Sequence, residues 1–374
     1  MIIGVLKEPA SETRVSLLPE HIPALLKWNV QVVVENGAGI KAFATDERYS
    51  ATGAVVSSRE AVLQQADLLL SINPPSTSDI DQSKSNILFG LFQPLYNFDI
   101  VNTWAEKGLT VFSIDMLPRT TRAQSMDVLS SQANIAGYKA VLLAANLFPR
   151  YFPMFMTAAG TVPPAKMLIL GAGVAGLQAV ATARRLGAVV EVFDTRPAVK
   201  EEVMSLGAKF VEVEGAASAA NAGGYAVEQT EEFMQRQKAR IAESVAKADI
   251  VITTAQIPGR KAPVLITEEM IAAMKTGSVI IDIAAATGGN TAITQNNKTI
   301  NHHGVSIVGN SSLAAEMSSD ASKLYGKNIL NFLQLIITRE GNLNLDFTDD
   351  LVKGTCITHE GKIVNERVAT AKGQ

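Results

Sequence analysis

Residues 166–194 read KMLILGAGVAGLQAVATARRLGAVVEVFD, and this stretch decides the fold. Met167–Leu170 is a short apolar run, and Gly171-Ala172-Gly173-Val174-Ala175-Gly176 follows it as G-x-G-x-x-G. Helical spacing continues over Val174–Leu186, a second apolar run spans Val189–Phe193, and Asp194 closes it. Strand, glycine turn, helix, strand and acid together are the dinucleotide-binding fingerprint. Gly171 permits the tight turn, Gly173 lets a pyrophosphate approach the backbone, and Gly176 lets the helix lie on the strand. The free N–H groups and partial positive charge of the helix start suit phosphates. Asp194 would accept hydrogen bonds from the adenosine ribose and repel a 2′-phosphate, which favours NAD. Arg196 is the counter-argument, because an arginine there can welcome that phosphate.

Working outward, short β-branched runs alternate with amphipathic stretches, the pattern of βαβ units and a mostly parallel sheet. The first series of strands is Ile2–Leu6, Val30–Glu35, Asp67–Ile72, Asn86–Leu91 and Leu109–Ile114. The second is Met167–Leu170, Val189–Phe193, Asp249–Thr254, Ser278–Ile283 and Val305–Val308. The expectation is an α/β chain of two Rossmann-like, doubly wound parallel-sheet lobes joined by long helices, with a cleft between them. The first lobe comprises residues 1–130 plus 320–374, and the dinucleotide-binding lobe residues 131–319. Gln124–Leu147 reads as one long joining helix and Phe148–Pro164 as a loop. Ser319–Thr338 reads as a helix that returns to the first lobe on Leu324, Ile329, Leu330, Leu333 and Ile336. A hairpin is expected around Glu360-Gly361. Residues 213–230, VEGAASAANAGGYAVEQT, interrupt the second lobe as either a disordered insertion or a mobile lid.

Composition narrows the function classes. Of 374 residues, 47% are hydrophobic and 18% charged, enough for large cores, and the length suggests two domains. The net charge of −3 provides no basic surface for nucleic acid. Cys356 is the lone cysteine, so neither an internal disulfide nor a thiolate metal site is expected. Met167–Ala183 is too short and too rich in glycine to span a bilayer, and the start of the chain does not read as a secretory signal.

Most NAD-dependent dehydrogenases move a proton as well as a hydride and need a positioned acid or base. The four histidines do not provide one at the cofactor sheet. His302-His303 lie in a polar turn before a strand, His21 on an early helix, and His359 beside the C-terminal hairpin. Thr253-Thr254-Ala255-Gln256 and Gly288-Gly289-Asn290 follow strands, where they either meet a ligand or simply end the strand. A polar cluster, Arg119, Arg122, Gln124, Asp127 and Ser130, opens the joining helix. Gln124, Asp127 and Ser130 are three apart and share a helical face, either functional or solvated, with Asp127 also placed to cap.

The run PRTTRAQSMDVLSSQANIAGYKAV (118–141) resembles the NAD(H)-binding domain I of the proton-translocating NAD(P) transhydrogenases. So do KEPASETRVSLLP, VPPAKMLILGAGVAGLQA, VFDTRPAVKEEV, TTAQIPGRKAPVLIT and GGYA, and the resemblance covers nearly the whole chain. The alanine dehydrogenases are related in fold and in Arg14. They carry lysines in the stretch where this chain has Ser71 and Asn73, a histidine at Gln93, and an acid at Ala286-Thr287. The lost groups are those that bind and deprotonate an amino acid.

The resemblance implies NAD(H) on this chain and NADP(H) on a partner domain of the beta subunit. It also implies a homodimer, membrane-spanning alpha and beta components, and a peripheral place at the cytoplasmic face of the inner membrane. Hydride transfer from NADH to NADP+ would be coupled there to proton translocation. Gln124, Asp127 and Arg119 take the reaction-side roles, and Thr120, Thr121, Arg122 and Ser130 join them around the nicotinamide, ribose and pyrophosphate. Gly171, Gly173, Val174, Ala175 and Gly176 hold the phosphates. Asp194, Thr195 and Arg196 take the adenosine side, Gly224 and Tyr225 the closing loop, and Ala255 and Gln256 the sheet edge. The chain departs from the family at NSSLAAEMSSDAS (310–322), where a proline-arginine stretch is common. An alanine dehydrogenase is the enzyme alternative, and an NAD sensor or a saccharopine-type dehydrogenase relative the others.

Overall fold

A computed structural model describes residues 1–213 and 231–371. Apart from Val213, the expected lid lies outside the described residues, and so do Gly224 and Tyr225. The chain divides into two compact units, Met1–Gln132 with Ala315–Gln374, and Ala133–Ala314.

The first unit opens with β1 (Ile2–Val5), β2 (Gln31–Glu35), β3 (Val55–Ser57), β4 (Leu68–Leu70), β5 (Ile87–Gly90) and β6 (Thr110–Ser113). The second holds β7 (Phe155–Thr157), β8 (Gly160–Val162), β9 (Lys166–Leu170), β10 (Val189–Phe193), β11 (Lys209–Phe210), β12 (Ile250–Thr253), β13 (Val279–Asp282), β14 (Lys298–His302) and β15 (Val305–Gly309). The tail adds β16 (Cys356–His359) and β17 (Lys362–Ile363) to the first unit. Its sheet runs β17-β16-β6-β5-β4-β1-β2-β3, parallel except at β16 and β17. The second runs β11-β10-β9-β12-β13-β15-β14, parallel except at β14.

Both sheets are covered on both faces by buried apolar clusters, which is why their strands read as continuous Val/Ile/Leu runs. In each, strand order reverses beside the opening strand, between β1 and β4 and between β9 and β12. Ligands of open α/β sheets bind at the carboxyl ends beside such a reversal.

The expected strands form within a residue or two of their bounds, and the doubly wound class is observed. Three strands of the two main sheets escaped the sequence. β3 and β11 are very short, and β14 is a polar edge strand with the sequence KTINH. His302 therefore ends a strand rather than lying in a turn, and His303-Gly304, both at positive φ, make the hairpin turn. The stretch expected as a loop contains the antiparallel β7–β8 hairpin. Glu360-Gly361 does turn between β16 and β17, with φ of 47° and 76°.

The joining element is not one helix. Thr121–Met126 is 3-10, Asp127 leaves helical geometry at ψ 88°, and the α-helix covers Val128–Leu147. The returning helix spans Ser318–Ile336 and packs into the first unit's core, with Tyr325 buried in place of the expected Leu324, which is exposed.

Candidate functional site

The dinucleotide turn is built by its own glycines. Gly171 has φ +107°, and its N–H donates to the Phe193 carbonyl at 2.8 Å, locking the ends of β9 and β10 together. A Cβ at Gly171 would lie 2.4 Å from Thr254 Oγ1, and one at Gly176 would lie 1.9 Å from the Gly171 carbonyl oxygen. A Cβ at Gly173 would meet nothing within 4 Å. Two glycines are thus required by the protein's own packing, while the third keeps an approach to the backbone open. Gly173 precedes the helix Val174–Arg185, whose first bond runs from the Leu177 N–H to the Gly173 carbonyl. The N–H groups before Leu177 have no intrahelical acceptor and are placed for an anion. The helix Val128–Leu147 presses on this helix start. A Cβ on Gly137 would come 2.1 Å from the Ala175 carbonyl oxygen.

Asp194, at the end of β10, has a buried side chain that holds the turn. Its Oδ2 accepts the Ala172 N–H at 2.7 Å, and its Oδ1 accepts the Arg196 N–H at 2.8 Å. Arg196 donates to the same carboxylate twice more, from Nε at 2.9 Å and Nη2 at 2.8 Å. These hydrogen bonds raise the guanidinium pKa above its ordinary value. An Arg196 tied to Asp194 brings that carboxylate with it to any 2′-phosphate. A cavity of about 180 Å³, lined among others by Phe193, Asp194, Pro197, Lys200 and Phe210, adjoins this pair. Apolar rings beside a carboxylate at a strand end suit an adenine.

The third wall comes from the ends of β12 and β13. Asn290 is fully buried; its side chain accepts the Ala255 N–H at 3.0 Å and donates to the Ala255 and Pro263 carbonyls at 2.8 Å each. Asp282, also fully buried, accepts the Asn290 N–H at 2.7 Å. Gln256 donates to the Ile283 carbonyl at 3.3 Å. Asp282 and Asn290 brace the Ala255-Gln256 edge. The sequence offered one signal for this, an acid ending the apolar run VIID before Gly288-Gly289-Asn290.

The residues expected on the reaction side lie in the first unit. A 3-10 turn repeats every three residues. Ala123 and Met126 accordingly enter the core together, and Thr121, Gln124 and Asp127 form another column, with Gln124 exposed. Asp127 caps the following helix, accepting the Ser130 N–H at 2.9 Å and its hydroxyl at 2.6 Å. Arg119 and Thr120 are exposed just before the turn. Arg122 is directed to the C-terminal segment. It donates to Asp349 at 2.8 and 2.6 Å and also pairs with Asp350. The cause is the 3-10 geometry, which turns residue 122 away from the column of Gln124.

At the positions where the resemblance implies lysines in an alanine dehydrogenase, Ser71 Oγ donates to the Asn73 carbonyl. Asn73 donates twice to Glu8, from its backbone N–H and side chain, both at 3.0 Å. Arg14 donates to both Glu12 carboxylate oxygens, at 2.9 and 2.7 Å, and to Gln132 at 2.8 Å. Burial raises the Glu8 pKa, despite the Ile72 and Asn73 hydrogen bonds that oppose it.

Among the described residues no cluster of His, Cys, Asp or Glu could hold a metal. No helix of the described residues is long and apolar enough to cross a membrane. Burial pushes the Cys356 thiol up to about 12, so it is not a nucleophile at neutral pH.

Two family models cover the chain, alanine dehydrogenase/PNT N-terminal domain over residues 4–136 and C-terminal domain over 140–366. An NAD(P) transhydrogenase alpha-subunit chain of Rhodospirillum rubrum is 45% identical, covering 98% of each chain. A solved transhydrogenase from Sinorhizobium meliloti superposes with a TM-score of 0.89 at 45% identity, over 97% of this chain and 100% of that one. An alanine dehydrogenase of Methanococcus maripaludis is more distant, 28% identical over 78% of this chain and 74% of its own.

Proposed function

The chain belongs to the alanine dehydrogenase/PNT family and, within it, to the NAD(P) transhydrogenase alpha subunits, and from that premise we propose that it is the NAD(H)-binding component. It exchanges a hydride with NADP(H) held on a beta-subunit domain, and membrane-spanning partners couple the exchange to proton translocation. One observation carries the reading. The turn of Gly171, Gly173 and Gly176 closed by Asp194 stands in a chain whose Ser71, Asn73 and Gln93 offer no cation or base, and whose Asn73 faces the carboxylate of Glu8.

An amino-acid dehydrogenase must deprotonate its substrate. Exchange between two nicotinamides supplies and accepts the hydride at ring carbons, with no proton moved there. The task of this chain is then positioning, since reacting atoms must come within about 3–3.5 Å. The helix start at Gly173 anchors the pyrophosphate, and Asp194 takes the ribose hydroxyls of NAD in preference to a 2′-phosphate. Gln124 holds the nicotinamide against the partner's nucleotide, and Asp127, Ser130 and Arg119 steady its ribose side. The chain works as a homodimer, of about twice 39.8 kDa in solution. It sits at the cytoplasmic face of the inner membrane through its partners.

Mixing the chain with a transhydrogenase NADP(H)-binding domain, NADH and an NADP+ analogue tests this. Reduction of the analogue should require both proteins. NAD-dependent oxidation of alanine by the chain alone, or tight NADH binding with no transfer to the analogue, would refute it.

A further inference from the structure

The turn that carries Gln124 is held from outside by side chains of the C-terminal segment of the first unit. The final carbonyls of a helical turn lack partners of their own. Here the Ser125 carbonyl accepts two side-chain amides from the helix Ser318–Ile336, Asn328 Nδ2 at 2.9 Å and Asn331 Nδ2 at 2.8 Å. The orientation of Asn328 is set at its other end, where Oδ1 accepts the Ser131 hydroxyl at 2.8 Å. On the other side of Gln124, Arg122 is gripped by Asp349 in a two-pronged pair. Asp349 is fixed in turn, because it caps the helix Asp350–Thr355 by accepting the Leu351 N–H at 2.8 Å. Ala123 and Met126 anchor the same turn in the core. Gln124 thus sits on a turn held on both sides of it, through Arg122 and through the Ser125 carbonyl.

We infer that Asn328, Asn331 and Asp349 are positioning residues for hydride transfer, acting on the nicotinamide through Gln124. The inference rests on the orienting role proposed for Gln124. Asp349 is exposed to competition from salt through its pair with Arg122, whereas the two amides are not ionic. The tether therefore has one salt-sensitive arm and one insensitive arm. Holding a side chain rather than contacting a ligand, these residues should govern the rate at saturation rather than nucleotide affinity.

Asp349→Asn keeps a good helix cap and removes the negative charge that faces Arg122. Asn328→Asp puts a carboxylate against the Ser125 carbonyl, and Asn331→Ala removes the second amide at the far end of the clamp. The three variants and Gln124→Ala are compared in the chain reconstituted with the NADP(H)-binding domain, measuring single-turnover hydride transfer at saturating nucleotides, NADH affinity and thermal midpoint. Asp349→Asn and Asn328→Asp should each slow transfer by roughly tenfold, with NADH affinity held within about twofold. Asp349→Glu should restore most of the rate. In a Gln124→Ala background the same changes should add nothing further.

If Gln124→Ala itself leaves transfer unchanged, the orienting role falls, and this inference with it. If Gln124→Ala slows transfer but the clamp variants do not, or add to it in full, the tether is refuted while the role of Gln124 stands. Should Asn328→Asp fail to fold, Asp349→Asn and Asn331→Ala decide alone, and normal rates in both would overturn the inference.

Discussion

A Cβ added at Gly176 would sit 1.9 Å from a backbone carbonyl oxygen, and one added at Gly173 would meet nothing within 4 Å. The two alanine substitutions should therefore differ in effect. Gly176→Ala forces the helix off the strand, an overpacking of about 1–3 kcal/mol or more, and should lower the thermal midpoint with or without nucleotide. Gly173→Ala should leave the unliganded protein within about 1 kcal/mol of the parent, since it changes only a cap. Its NADH affinity should nonetheless fall by roughly tenfold or more, about 1.4 kcal/mol. Calorimetric titration beside thermal melts checks both, and equal loss of stability in the two variants would contradict the division. The glycine spacing and Asp194 were legible in the sequence because the backbone geometry they serve is local. The grip of Arg196 on Asp194 was not. Two residues apart, the pair could as well have faced outward, and only the burial of Asp194 decides that it does not.

Elements meet where their side chains bring a titratable group into the packing. The first helical turn, Pro19–His21, lies on the helix Ser318–Ile336 so closely that a Cβ on Gly326 would come 2.3 Å from the His21 ring. His21 Nδ1 accepts the Leu18 N–H at 3.0 Å and so must be unprotonated there. Burial lowers its pKa below the ordinary value, against the pull of Glu20. The sign follows from linkage. Unfolding lets the ring take a proton, so its contribution is full above its ordinary pKa of about 6.5 and is lost as pH falls below that, toward the folded value. Denaturant melts should show stability dropping below about pH 6.5, with a contribution from one proton of at most about 1.4 kcal/mol per pH unit. His21→Asn should remove that component of the slope, and an unchanged slope would count against it. At this scale the helical period announced the returning helix. It could not announce the break at Asp127, because a three-residue spacing is shared by 3-10 and α geometry until a cap chooses between them.

The whole molecule threads its first unit through both ends of the chain. β6 pairs with β16, and Tyr325, Ile329, Phe332, Leu333 and Ile336 complete a core begun by β1, β2 and β4. A chain cut after Ala314 should lose cooperative unfolding of its N-terminal region and bind a hydrophobic dye. A fragment of residues 128–314, which keeps its own seven-stranded sheet and both covering clusters, should still melt cooperatively. A single sharp transition of the long truncated chain would refute the first expectation. Periodicity, turn chemistry and the spacing of three glycines and an acid were enough to settle the doubly wound class, the glycine turn after β9 and the C-terminal hairpin. Each rests on contacts within a few residues or on one repeating burial pattern. The Asn290 brace, the Arg122–Asp349 pair and the two amides on Ser125 join residues 35, 227, 203 and 206 positions apart. No local rule specifies such partners, because they come within hydrogen-bonding reach only after sheets and helices have packed.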